Sequence, residues 1–176
     1  MATLVSLLDN TDFQTQPFLI VATETNFVNA LTEQIAKRQR ELLIQILGNQ
    51  EYYNLENDNS GAFPITQKWI DFINGVVYTK DGNNIDYQGI KEVVKKYVYY
   101  WYVRDNVIQA TESGGVVYNE QNTYRKIQNL KMVQAYNEMV DLIGDYNNDI
   151  PTVFNYLDDN DFDAKMQKFN YIKNIY

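Results

Sequence analysis

The sequence predicts a mostly α fold: a four-helix bundle-like domain with a small inserted β-hairpin and extended N- and C-terminal arms. Three features point there. Apolar residues recur at three- and four-residue spacing in four separate stretches, the period of a helix with one face in a core. One Asp-Gly pair, Asp81-Gly82, sits between two short β-prone runs, the composition of a tight hairpin turn. Both ends of the chain hold apolar patches without sustained periodicity.

Residues 1–25 carry two such patches, Leu4 to Leu8 and Phe18 to Ala22, separated by Asp9-Asn10-Thr11-Asp12 and Pro17. They predict an arm of little regular structure that packs on something else. The first helix is expected from about Asn26 to Leu47, where Val28, Leu31, Ile35, Leu42, Leu43, Ile46 and Leu47 share a face; Gly48 is its natural stop. Asn57-Asp58-Asn59-Ser60-Gly61 then marks a turn, and Pro64 suits the start of a second helix that uses Trp69, Ile70, Phe72 and Ile73 and ends at Gly75. Val76-Val77-Tyr78 and Ile85-Asp86-Tyr87 flank Lys80-Asp81-Gly82-Asn83, which sets the hairpin at 76–87.

The third helix, about Ile90 to Thr111, is expected to be apolar nearly all round. Ile90, Val93, Val94, Tyr97, Val98, Trp101 and Ile108 form one face, and Tyr99, Tyr100, Tyr102, Val103 and Val107 cover much of the other. A chain with about four helices has little to enclose such a helix with, so part of it is expected to face another subunit. Tyrosine suits that role, since its ring is apolar and its hydroxyl can stay wet. Tyr99, Tyr100, Tyr102 and Val103 are therefore the candidate subunit contact. Gly114-Gly115 breaks the helix, and the extended Val116-Val117-Tyr118 is a candidate contact with an adjacent subunit. A fourth helix is expected from about Thr123 to Tyr146, with Ile127, Leu130, Val133, Met139, Val140 and Ile143 on its apolar side. After Pro151 follow a short helix around Val153 to Leu157, an acidic turn Asp158 to Asp161, and Phe169 to Ile172 as a strand or a docking arm. All of this fits a single domain, 1–176, with an arm at 1–25, a helical core at 26–146 and a C-terminal segment at 147–176.

The composition narrows function. The chain has 176 residues, no cysteine and no histidine. That removes disulfide scaffolds, thiolate or imidazole zinc sites, Cys-His nucleophiles and the Ser-His-Asp triad. With 15 Lys plus Arg against 23 Asp plus Glu the net charge is -8, contrary to the basic balance of proteins that bind by neutralising phosphates. No apolar run is long enough for a spanning helix and the start lacks a basic leader, so a soluble protein without a membrane partner is expected.

Three constellations invite chemistry. Asp159-Asn160-Asp161-Phe162-Asp163 mimics the start of an EF-hand loop, but Ala164 stands where the turn needs Gly and Asn170 where a bidentate Glu should close the shell. Glu112 and Glu120 can be paired on paper as acid and base, yet nothing in their spacing singles them out among so many carboxylates. Gly114-Gly115 lacks the lysine and hydroxyl of a phosphate loop. No catalytic residue, metal or cofactor is expected.

Asn74-Gly75-Val76-Val77-Tyr78-Thr79, Asn84 to Ile90, Val98 to Arg104 and Gly115-Val116-Val117, in that order, together with Leu43 to Tyr53 upstream, resemble the head-tail connector (adaptor, or neck ring) proteins of tailed bacteriophages, especially those of gut Bacteroidota phages. The resemblance covers about residues 38–120. Where that family often has a Ser-Glu-Pro turn, Asn119-Glu120-Gln121-Asn122 stands here. The resemblance implies a non-enzymatic virion structural protein of the neck, assembled in the host cytoplasm. It implies a self-associated ring, typically of about twelve copies, beneath the portal protein, joined to the tail or to further neck-ring proteins, with genome DNA passing through without specific binding. The rival is an acidic DNA mimic that binds and inhibits a host enzyme, which needs carboxylates clustered on one face.

Overall fold

The structure, a computed structural model, describes residues 7–15, 20, 25–58, 66–105, 119–144 and 152–172. Helix α1, Thr25–Asp58, is the longest element and carries one break: Gly48 leaves helical geometry at φ 76° and ψ 168°. The expected stop at Gly48 is thus a break, after which the chain re-enters a helix. Tyr52 and Leu55, three residues apart on the second stretch, are buried like Leu42, Leu43, Ile46 and Leu47 on the first. Continued burial of one face favours helix again once the break has re-aimed the axis.

Helix α2, Gln67–Asn74, buries Trp69, Phe72 and Ile73 and ends at Gly75. Strands β1, Val76–Lys80, and β2, Asn83–Tyr87, pair antiparallel with Val76 opposite Tyr87 and Lys80 opposite Asn83. The turn takes φ 51° at Asp81 and 80° at Gly82, the two positive values of the two-residue turn expected from Asp-Gly. At the hairpin root two glycines cross. A Cβ on Gly75 would lie 2.5 Å from the Tyr87 carbonyl oxygen, and one on Gly89 would lie 2.6 Å from the Gly75 nitrogen. Only glycine lets the chain enter and leave the hairpin at one point.

Helix α3, Lys91–Val103, packs on both α1 and helix α4, Asn119–Ile143. The part of the third helix expected beyond Asp105 lies outside the described residues. On α4, Met132, Ala135, Met139, Val140 and Ile143 are buried, whereas Leu130, expected on the apolar side, is 56% exposed. Ala135, not expected on the apolar side, is fully buried instead. Helix α5, Val153–Asp159, is capped by Thr152, whose hydroxyl accepts from the Asn155 N–H. No described helix is long and apolar enough to cross a membrane.

Both arms dock on the helices. The N-terminal arm forms a 3-10 turn, Asn10–Phe13, closed by a capping box between Asp9 and Asp12. It buries Leu8 and Phe13 and hands the Leu7 N–H to the Gln39 side chain at 2.8 Å. The C-terminal arm, residues 162–172, is a docking arm and not a strand. Its Lys165 and Gln167 N–H groups donate to the carbonyls of Leu47 (3.3 Å) and Gln45 (2.8 Å), which the break at Gly48 frees from ordinary helix pairing.

Candidate functional site

The four α3 positions expected to meet another subunit are core residues. Tyr99, Tyr100, Tyr102 and Val103 are between 4% and 8% exposed in the single chain. Helices α1 and α4 flank α3 on both sides, and Tyr100 packs on Tyr136 of α4 with ring centroids 4.7 Å apart. The expectation failed because α4, the N-terminal 3-10 turn and the part of α1 around Gln34 and Arg38 pack around α3, so this chain covers these positions by itself. Val116, Val117 and Tyr118 lie outside the described residues.

Two buried cations tie the helices together. The Arg38 guanidinium of α1 bonds Asp105 at 2.8 Å and Glu41 at 2.7 Å and lies 3.9 Å over the Trp101 ring. Lys96 of α3 bonds Glu138 of α4 at 2.6 Å, with Glu92 at 3.6 Å. Each charge is compensated where it is desolvated, which is how a helix interface carries charge without a large penalty. Nothing in either cluster calls for a substrate.

The acidic turn is committed in the same way. Asp159 accepts from the Tyr78 hydroxyl at 2.8 Å and pairs with Lys80. The Asp161 carbonyl accepts from Lys68. Among the described residues no group of three or more carboxylates is placed to hold a metal ion. Glu112 and the side chain of Glu120 lie outside the described residues.

These bonds hold the hairpin, and the hairpin is what the molecule presents. Tyr87 stacks on Tyr156 of α5 at 4.1 Å, Tyr78 meets Tyr156 edge-on at 5.6 Å, and the Tyr87 hydroxyl donates to the Phe72 carbonyl. Burial raises the Tyr87 phenol well above its ordinary pKa. The Lys80 pKa is raised, first by its bond to Asp159. The inward face is therefore Val76, Tyr78, Ile85 and Tyr87, and the outward face is Val77, Thr79, Asn84 and Asp86, all exposed. Val77 is 61% exposed, the most open large apolar side chain among the described residues. The register also turns the N–H and C=O groups of Val77 and Thr79 away from β2, and those of Asn84 and Asp86 away from β1. Among the described residues no backbone partner meets them. A rigidly rooted two-stranded ribbon with two open edges can accept a further strand.

The hairpin itself was legible in the sequence, whereas Asp159 and Tyr156, which hold it, were not. Their only signal was the alternation that puts Tyr78 and Tyr87 on one face. Comparison with protein-family models, with curated proteins and with solved structures finds no match to this chain.

Proposed function

We propose that the protein is a non-enzymatic structural subunit of a phage neck: a ring, of about twelve copies, that joins the portal protein to the tail or to further neck-ring proteins and lets genome DNA pass. The observation that carries it is the rooted hairpin, whose outward backbone groups and exposed Val77 offer each copy an edge for the next. A rotational ring needs two different patches on every subunit, and the β1 and β2 edges are two such patches. The polar β2 edge, with Asp86, differs from the β1 edge, with Val77 and Thr79, which favours a pairing of unlike edges over a symmetric dimer.

Subunit contacts are assigned to the hairpin because the tyrosines of α3 are closed off by this chain. The net charge of -8 suits a wall that DNA slides past, since attraction to the backbone would hold it. The DNA-mimic alternative is weakened by the carboxylates of Asp105, Glu138 and Asp159, which are spent on internal partners. Electron microscopy of purified particles, with a tag on this chain, tests the assignment. Label in a ring below the portal is expected; label elsewhere, or none on the particle, overturns it.

A further inference from the structure

We propose that the tip of the hairpin is a site of spontaneous backbone modification: Asp81 converts to isoaspartate through a cyclic imide with Gly82, while the fold keeps Asn74-Gly75 intact. This goes beyond the neck assignment and does not depend on it, since it requires only the hairpin.

The chain has one Asn-Gly pair and one Asp-Gly pair, and they stand at the root and the tip of the same hairpin. In either pair the glycine nitrogen can attack the side-chain carbonyl carbon of the residue before it, because glycine has no Cβ to crowd the approach. In an unfolded chain the Asn pair closes faster, since an ionised carboxylate is a poor electrophile at neutral pH.

The structure reverses that order. Asn74 and Asp81 are both exposed, so access to solvent does not separate them; the peptide nitrogens do. The Gly75 N–H donates to the Asp71 carbonyl at 2.8 Å. The Gly89 backbone lies on the Asn74–Gly75 peptide itself, where a Cβ on Gly89 would stand 2.6 Å from the Gly75 nitrogen and 2.7 Å from the Asn74 carbonyl carbon. Asn74 is also the last residue of α2, so turning its peptide plane towards its side chain breaks the helix end and the hairpin root together. Ring closure there requires the buried root to open.

Gly82 is free in both respects. Its N–H has no acceptor among the described residues, and a Cβ placed on it would meet nothing within 4 Å. Asp81 sits at φ 51°, a left-handed conformation that a residue with a Cβ adopts at a cost, so turning its peptide plane relieves strain where the same motion at Asn74 breaks contacts. Residues 80–84 are all exposed, and fraying of this end leaves the aromatic root in place.

The chemistry is a dehydration followed by a hydration. The Gly82 nitrogen bonds to Cγ of Asp81 and releases its proton, and a carboxyl oxygen leaves as water. Water then adds to one of the two imide carbonyls. Addition at Cγ restores aspartate, whereas addition at the main-chain carbon leaves the chain running through Cβ and Cγ. Nothing is oxidised or reduced, and the mass is unchanged. The product adds a methylene to a turn of two residues, which takes Lys80 out of register with Asn83 and loosens the ribbon from its tip.

The full folded chain, kept for several weeks at neutral pH and physiological temperature, tests this by peptide mapping with mass spectrometry and by methyl labelling with an isoaspartyl methyltransferase. Isoaspartate is expected at position 81 at a level at least about tenfold above any conversion of Asn74, and the order is expected to reverse in chain held in denaturant. Asp81→Asn removes the difference in chemistry, because it puts Asn-Gly at tip and root alike and keeps a favoured turn. In that variant the tip is expected to lose its amide at least about tenfold faster than Asn74 of the same molecule. Equal rates at the two positions of the variant overturn the proposal. So does an unmodified Asp81 in the folded, unsubstituted chain after the denatured chain has converted.

Discussion

The ring of Tyr87 lies flat on the ring of Tyr156, with centroids 4.1 Å apart and planes 10° from parallel. A strand and a helix that are distant in sequence are thereby locked into one unit. Phe162 adds an edge to the same cluster, 5.1 Å from Trp69 and 6.0 Å from Tyr156. Hairpin, α2, α5 and the start of the C-terminal arm thus share one aromatic joint.

Tyr156→Ala removes the centre of that joint. A cost of about 3–5 kcal/mol is expected, from lost burial and from a cavity that the glycine-crossed root cannot close. Urea denaturation followed by circular dichroism measures it. A loss within about 1 kcal/mol would show that the hairpin is held by its root alone.

The same tyrosines make the protein sensitive to alkali. Burial, then the charge of Asp71, pushes the Tyr156 phenol from 10.0 up to about 12, and burial also raises the Tyr87 phenol well above its ordinary value. A phenol whose pKa is raised by folding binds its proton more tightly in the folded chain. Its contribution is therefore complete below the unfolded value near 10 and is lost as pH climbs through the folded value. The urea midpoint is expected to fall between about pH 10 and 12, with a shallower slope in Tyr156→Phe. Equal slopes in the two proteins would remove Tyr156 as a cause.

Lys96 and Glu138 test the charged clamp between α3 and α4. Glu138 is 40% exposed at its side chain while Lys96 is 10% exposed, so Glu138→Ala takes the nearer carboxylate from a buried ammonium and leaves it Glu92 at 3.6 Å. About 1–2 kcal/mol is expected, below the roughly 3–5 kcal/mol of a fully enclosed pair. Lys96→Met combined with Glu138→Leu is expected to recover most of it, and a double variant no better than the single would show that the pair itself stabilises the interface.

Val77 and Tyr100 separate surface from core. Val77→Asp is expected to change stability by no more than about 1 kcal/mol and to abolish rings in electron micrographs of the assembled protein. Tyr100→Asp is expected to cost more than about 3 kcal/mol and to unfold the helices, because it places a charge where α4 closes over α3. Normal rings from Val77→Asp would move the subunit contact off the hairpin.

The hairpin was legible almost to the residue, because Asp81-Gly82 meets a local steric demand that no distant contact can alter. Helices α2 and α5 were legible for a related reason: Gly75 and the Pro151-Thr152 pair punctuate short apolar runs. Gly48 was legible as a break but not as an interior one. Whether a chain resumes its helix after a glycine depends on what lies under the next turn, here the buried Tyr52 and Leu55.

Helical class, the hairpin with its turn, and the packing of the N-terminal arm follow from the sequence alone, since period and punctuation act over a few residues. Which face of α3 is free, which acid holds the hairpin, and which carbonyls the C-terminal arm caps were decided by tertiary structure. Tyr99 and Tyr100 have the same chemistry whether a sister chain or this chain's own packing covers them. Periodicity reports that a surface must be covered; only the packing of α1, α4 and the arms around it determines what covers it.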